Sequence, residues 1–158
     1  MKKSISYTIL EATAKMEAFC AYQDRCHKEV TTKLKEMKMI PQAVDHIINH
    51  LIQHNFLNEE RFARSYARGK FRIKKWGKHR IVRELKQREI SRFNISAALT
   101  EIDAEEYVNT LDSISMKKWN QLSDSNLLIK KKKLANYLIY RGWELNLVYD
   151  KVNQFTSH

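Results

Sequence analysis

The chain has 158 residues, 43% of them hydrophobic, which is enough for a core, but only three glycines and one proline, too few turn formers for an all-β fold. No stretch approaches the roughly 20 apolar residues of a membrane span. The net charge is +11, and all but about +1 of it lies between Arg64 and Arg88, where eleven Lys or Arg face a single acid, Glu84. Such local imbalance repels itself and points to an anionic partner. In chain order, MKKSISYTILEATAK lacks a sustained apolar run before Glu11, so no signal peptide is expected and the chain is placed in the cytoplasm. Ile9, Ala12, Met16 and Phe19 then mark a first amphipathic helix. Cys20 and Cys26 are expected as reduced thiols without a disulfide.

The next segments share a repeat. Val30, Leu34, Met39, Val44 and Ile48 are spaced 4, 5, 5, 4. The same spacing returns in Ile81, Leu85, Ile90, Ile95 and Leu99, and again in Leu134, Leu138, Trp143, Val148 and Val152. Four residues make one helical turn, so the first pair anchors one helix and the last pair another. The central residue sits at the turn between them. Pro41 suits the first turn of the following helix, Ser91 its N-cap, and Gly142 a left-handed helix end.

A further helix precedes each pair. In the middle unit Phe62, Tyr66, Gly69, Ile73 and Trp76 form its apolar stripe, behind an Asn58 cap with Glu59 and Glu60 in the first turn. In the third, Val108, Leu111 and Trp119 share a face and Asp103 is the cap. The expectation is an all-α fold of three tandem three-helix, helix-turn-helix-like repeats in an elongated, curved array, over residues 1–57, 58–102 and 103–158. The middle helices are predicted near 58–75, 78–89 and 92–102. Neighbouring units are expected to stack to complete the core.

Helical geometry then places the charge. With Phe62 at 0° and about 100° per residue, Arg64, Arg68, Phe71 and Lys75 fall at about 180–240°, away from the stripe. On the next helix Arg80, Arg83 and Lys86 point away from Ile81 and Leu85. The candidate binding set is Arg64, Arg68, Lys70, Phe71, Arg72, Lys74, Lys75, Lys78, Arg80, Arg83 and Lys86. Arg suits phosphate or carboxylate. Phe71 is placed either to stack on an unpaired nucleobase or to pack against a neighbouring unit. Trp76 is expected at the joint between helices, in the core. Lys130, Lys131, Lys132 and Lys133 are a solvated helix start or a secondary basic contact, since charge there opposes the helix dipole.

Other chemistry finds little support. His46, His50 and His54 share a face, but the cysteines are six apart and no CxxC occurs, so no metal is expected. There is no glycine-rich phosphate loop or nucleophile motif, and Glu59, Glu60 and Glu84 have no acid–base setting. The chain is read as a non-enzyme without cofactors.

The stretch LNEERFARSYARGKFRIKKWGKHRIVRELKQREIS resembles the RecX family, bacterial modulators of the recombinase RecA. The likeness lies in Phe62, the Arg68 to Trp76–Gly77 joint, Ile81-x-x-Glu84-Leu85 and Ile90–Ser91. CAYQDRCHKEVTTKL and LANYLIYRGW are also similar, so the resemblance covers about residues 8 to 155. Glu89 departs from it, standing where such sequences often have glycine, and a local change of helix end is expected there. A monomer is expected, and the resemblance implies three tandem three-helix repeats that bind the RecA–single-stranded-DNA filament in its groove. It further implies inhibition of filament growth, strand exchange and ATP hydrolysis. Charge alone leaves two alternatives: a helix-turn-helix protein reading duplex DNA, or a scaffold for an acidic protein. Against the former, the basic side chains spread over two helices rather than one recognition helix.

Overall fold

The structure, a computed structural model, describes residues 5–156; Met1–Ser4, the start of the stretch read for a signal peptide, lie outside the described residues. Among the described residues there are nine helices and no strand. They are α1 (Ile9–Tyr22), α2 (His27–Glu36), α3 (Pro41–Gln53), α4 (Glu59–Lys74), α5 (Lys78–Gln87), α6 (Arg92–Leu99), α7 (Ala104–Gln121), α8 (Leu127–Tyr140) and α9 (Leu145–Asn153). The main helix–helix contacts fall within the triplets α1–α3, α4–α6 and α7–α9. None of the helices is long and apolar enough to cross a membrane.

The helix starts follow the cap residues. Asn58 accepts from the Arg61 N–H, Ser91 from Asn94 and Asp103 from Glu106, at 2.8, 3.2 and 2.9 Å. Pro41 opens α3, where its missing N–H is no loss.

The 4, 5, 5, 4 spacing has a local cause. Lys38, Glu89 and Gly142 all have positive φ (60°, 60° and 92°) and stand at equivalent places after α2, α5 and α8. The next residue's N–H returns to a carbonyl five positions back: Met39 to Leu34, Ile90 to Leu85, Trp143 to Leu138, at 3.1, 3.2 and 3.2 Å. The left-handed residue's own N–H bonds the carbonyl three back, at 2.9, 3.0 and 2.9 Å. This is a Schellman helix end, in which the residue after the left-handed one is brought back onto the helix it has left. The five-residue step is thus the separation between the leucine and the residue that seals its helix. Leu34, Leu85 and Leu138 are all completely buried. Glu89 keeps both hydrogen bonds, so the helix end expected to change is the same as in the other two units. Glu89, like Lys38, carries the backbone strain of a side chain at positive φ, which Gly142 avoids.

Several apolar faces are rotated from their predicted places. On α4 the buried residues are Phe62, Ala63, Ala67 and Phe71, while Ile73 is 78% exposed and Tyr66 and Gly69 are half-buried. Ala63 and Ala67 are short, and α4 uses that face against α6. On α7 Tyr107 is buried and Val108 exposed, and on α1 Ile9 is exposed. At the last repeat position Ile48 and Leu99 are half-buried, and the adjacent Ile47 and Ala98 are buried instead.

Stacking differs between the two joints. The second and third triplets share one core from Phe62 to Val152, whereas the first has its own, built on Met16, Leu34, Ile47 and Leu51. Cys26 is the exception: it lies just before α2 yet sits in the shared core. Arg61 also ties the first two triplets, donating to Asp24 at 2.8 Å and to the Asn55 and Phe56 carbonyls. The joint to the third triplet is closed by backbone. A Cβ on Gly77 would overlap the Gly142 carbonyl, and one on Gly142 would overlap the Arg80 backbone. The Gly77, Lys78 and His79 N–H groups at the start of α5 donate to the Arg141 carbonyl, the Tyr107 hydroxyl and the Gly142 carbonyl, at 2.9, 2.9 and 3.0 Å. These donors have no partner inside a helix, and the third triplet supplies it.

Candidate nucleic-acid interface

Helices α4 and α5 carry the basic segment, and its side chains divide into four groups. The first is already ion-paired. Arg64 lies 3.1 Å from both Glu60 and Glu101, Arg68 lies 3.2 Å from Glu101, and Arg72 lies 3.8 Å from Glu106. The Arg64 and Arg68 hydrogen bonds hold the Glu101 carboxyl below the usual carboxylate range, and the same contacts raise Arg64. The predicted view of these arginines as free outward cations is therefore corrected. Their acids come from the first turn of α4 and from the turn and helix beyond α6, not from the basic segment itself.

Phe71 forms the second group alone. It is 2% exposed and its ring centre lies 5.8 Å from that of Tyr107. It packs against the neighbouring triplet and cannot stack on an external base. The buried arc of α4 runs from Phe62 through Ala63 and Ala67 to Phe71, wider than the predicted stripe, so Phe71 is buried although Arg68 lies next to it on the helix.

Cations held over aromatic rings make the third group. Arg88, which also pairs with Glu84 at 3.1 Å, lies 4.9 Å from the Tyr66 ring centre, and Lys70 lies 5.3 Å from Tyr66 and 5.1 Å from Trp76. Arg80 lies 4.2 Å from Trp76 and 5.0 Å from Tyr140. These alternating rings and cations run across the second triplet to the third. Such pairs are worth about 0.5–1 kcal/mol each at exposed sites. Trp76, expected in the core, is half-buried within this row and meets Tyr66 edge-on at 6.4 Å. Lys78 lies over the Tyr107 ring at 4.7 Å, apart from the row.

The fourth group is exposed and makes no ion pair among the described residues: Lys74, Lys75, Arg83 and Lys86. Arg83 and Lys86 line one shallow depression on α5 with His79. Lys75 instead faces a depression lined by Asp103, Glu105 and Glu106.

The lysine run of α8 is partly occupied. Lys133 pairs with Asp124 at 2.8 Å and Lys130 lies 4.2 Å from the Trp119 ring centre, which leaves Lys131 and Lys132. Among the described residues no three His, Cys, Asp or Glu side chains converge as metal ligands. His50 contacts Glu17 and stacks near His54, and Cys20 and Cys26 are separate buried thiols.

The family model described as RecX, second three-helix domain, matches residues 58–99, which are α4 to α6. Regulatory protein RecX of Clostridium acetobutylicum is 27% identical over 159 residues, covering 98% of this chain and 69% of that protein. The chain belongs to the RecX family. Regulatory protein RecX of Lactobacillus johnsonii is 33% identical over 91 residues, 58% of this chain, and the match spans only 34% of that longer relative. A crystal structure of RecX from Lactobacillus salivarius superposes with a TM-score of 0.79 at 24% identity, covering 92% of this chain and 94% of that one, which shows the RecX fold.

Within this chain, the matched α4–α6 region holds Arg88, Tyr66, Lys70, Trp76 and Arg80, and Tyr140 joins from α8. Sequence reasoning missed the role of Tyr66, Arg88 and Tyr140. The stripe reading puts Tyr66 in the core, and Arg88 and Tyr140 are absent from the candidate set. Arg80, Glu84 and Arg88 at i,i+4 spacing were the available signal, since one face of α5 had to lean toward α4.

Proposed function

We propose that this chain regulates RecA by binding the RecA–single-stranded-DNA filament and restraining its growth, strand exchange and ATP hydrolysis. RecA is the partner that the family resemblance implies. The observation that carries the reading is the exposed, ion-pair-free set on α4 and α5. Where acids are within reach the arginines have taken them, yet Lys74, Lys75, Arg83 and Lys86 remain open. Cations in this state can release counterions on meeting phosphate. In this reading the helix triplets, near residues 1–57, 58–102 and 103–158, act as a spanning array in a cytoplasmic monomer. Lys131 and Lys132 give a secondary contact, and no chemical step is catalysed. The duplex-reading alternative is disfavoured because the cations lie on two helices and the ring row runs from the second triplet to the third.

The test is Arg83→Glu with Lys86→Glu, compared with Lys117→Glu on α7. Binding to single-stranded DNA and to the RecA filament is measured across a salt series. Each lost phosphate contact lowers the salt slope by about 0.7, so the double variant should lose about 1.4 and the control nothing. A folded double variant that binds like wild type at every salt concentration rejects this surface. Sequence-dependent duplex binding without an effect on RecA rejects the partner.

A further inference from the structure

Two of the three glycines are explained by the fold. Gly77 and Gly142 lie where backbones of the second and third triplets touch, and no side chain has room. Gly69 is different. It stands inside the 16-residue α4, where glycine is a poor helix former, and a Cβ there would meet nothing within 4 Å. Its φ is not positive. Nothing within the chain requires glycine at this place, and its bare backbone lies open to whatever approaches the helix from outside.

The surroundings of Gly69 say what that is. It lines a groove of about 480 Å³ between α4 and the α1–α2 turn, within the roughly 300–1,000 Å³ usual for small-ligand sites. One wall carries Tyr66 and the exposed Ile73, one turn to either side of Gly69. Lys70 and Lys74 stand at the same wall; Arg88, at the end of α5, also lines the groove but is paired with Glu84 at 3.1 Å, and Lys70 and Arg88 are the cations nearest the Tyr66 ring. Asp24 and Glu29 of the first triplet close the opposite side. The groove therefore offers the Tyr66 ring, a bare stretch of helix backbone, lysines for phosphate, and Asp24 and Glu29, which keep spare lone pairs for an exocyclic amine beside their contacts to Arg61 and Arg25.

We propose that this groove receives an unpaired nucleobase of single-stranded nucleic acid, stacked beside Tyr66 over Gly69, with its phosphates on Lys70 and Lys74. The ring-and-cation row then continues the strand's path across Trp76 and Arg80 to Tyr140. An acidic peptide is the less suited occupant, because Asp24 and Glu29 would face it. The inference rests on the nucleic-acid contact proposed above and adds base recognition to it.

The experiment compares binding of the full chain, by fluorescence anisotropy, to a single-stranded oligonucleotide and to the same strand made abasic throughout. Gly69→Leu fills the groove, and because leucine is the better helix former its melting temperature should be no lower than that of wild type. Wild type should bind the base-bearing strand roughly 5- to 150-fold more tightly than the abasic one, the range expected for losing one stacked base. Gly69→Leu should bind both strands at the abasic level. Equal binding of the two strands by wild type, with the Arg83/Lys86 double variant still weakening both, overturns the base pocket while leaving the basic surface standing. Binding of neither strand overturns the nucleic-acid contact itself. A Gly69→Leu variant that keeps its base preference but no longer inhibits RecA assigns the groove to a protein segment and overturns the proposal.

Discussion

Glu89→Gly should make the protein more stable, and Gly142→Ala much less so. The two residues close α5 and α8 by the same hydrogen bonds and differ in what a side chain costs there. Glu89 is exposed at φ 60°, so its only penalty is the left-handed backbone, about 1–2 kcal/mol for a side chain. Glycine removes that strain but adds freedom to the unfolded chain, which returns about 0.4–1 kcal/mol. The net gain for Glu89→Gly is about 0.5–1 kcal/mol, and Lys38→Gly should match it. Gly142 has φ 92° and no space, because a Cβ would overlap the Arg80 backbone that α5 brings against it. Backbone cannot rotate away as a side chain can, so Gly142→Ala should cost on the order of 3 kcal/mol. The assay is urea unfolding of the three variants, with constant m-values showing that the midpoint shift reports stability. A destabilising Glu89→Gly, or a neutral Gly142→Ala, would refute the equivalence of these helix ends.

Other outcomes follow from the joints and the charge pairs. Tyr107→Phe removes a hydroxyl that accepts from the Lys78 N–H and donates to Glu144, so the unfolding midpoint should fall by about 1–2 kcal/mol; an unchanged midpoint would show that water replaces it. Burial pushes the Cys26 thiol up to about 11 from 9.0, so the folded chain keeps a proton there that the unfolded chain releases. Stability should be unaffected by Cys26 below about pH 9 and decline toward pH 11, by on the order of 2 kcal/mol. Burial also raises Tyr107, which adds to the decline above about pH 10. Cys26→Ala should flatten the first part of that profile, and an equal slope in both proteins would exclude the thiol as its source. Glu101→Gln frees Arg64 and Arg68, so binding to single-stranded DNA should strengthen at low salt; a weakened or unchanged affinity would show that these arginines serve only the fold.

The repeat was legible because the features behind it are local. A Schellman end brings the next apolar residue back onto the leucine five positions earlier, and that leaves an invariant step in all three units. Asn58, Ser91 and Asp103 act over three residues and were legible for the same reason. The face of α4 was not. It has large apolar residues on one side and Ala63 and Ala67 on the other, and close approach of α6 selects the small ones. A stripe of large residues therefore led to Ile73, which the fold leaves exposed. The ion pairs escaped for a different reason. Glu101 and Glu106 are more than thirty positions from their arginines, beyond any helical spacing rule. Unequal stacking of the triplets was also hidden, because it depends on where Cys26 and the Gly77–Gly142 contact fall in space.

The central claim is that the chain acts on RecA, and the most direct measurement is RecA's single-stranded-DNA-dependent ATP hydrolysis with the chain at substoichiometric amounts. The account predicts inhibition by wild type and by Lys117→Glu, with a marked loss of inhibition in the folded Arg83→Glu, Lys86→Glu variant that is clearest at low salt. Undiminished ATP hydrolysis in the presence of saturating wild-type chain would contradict it.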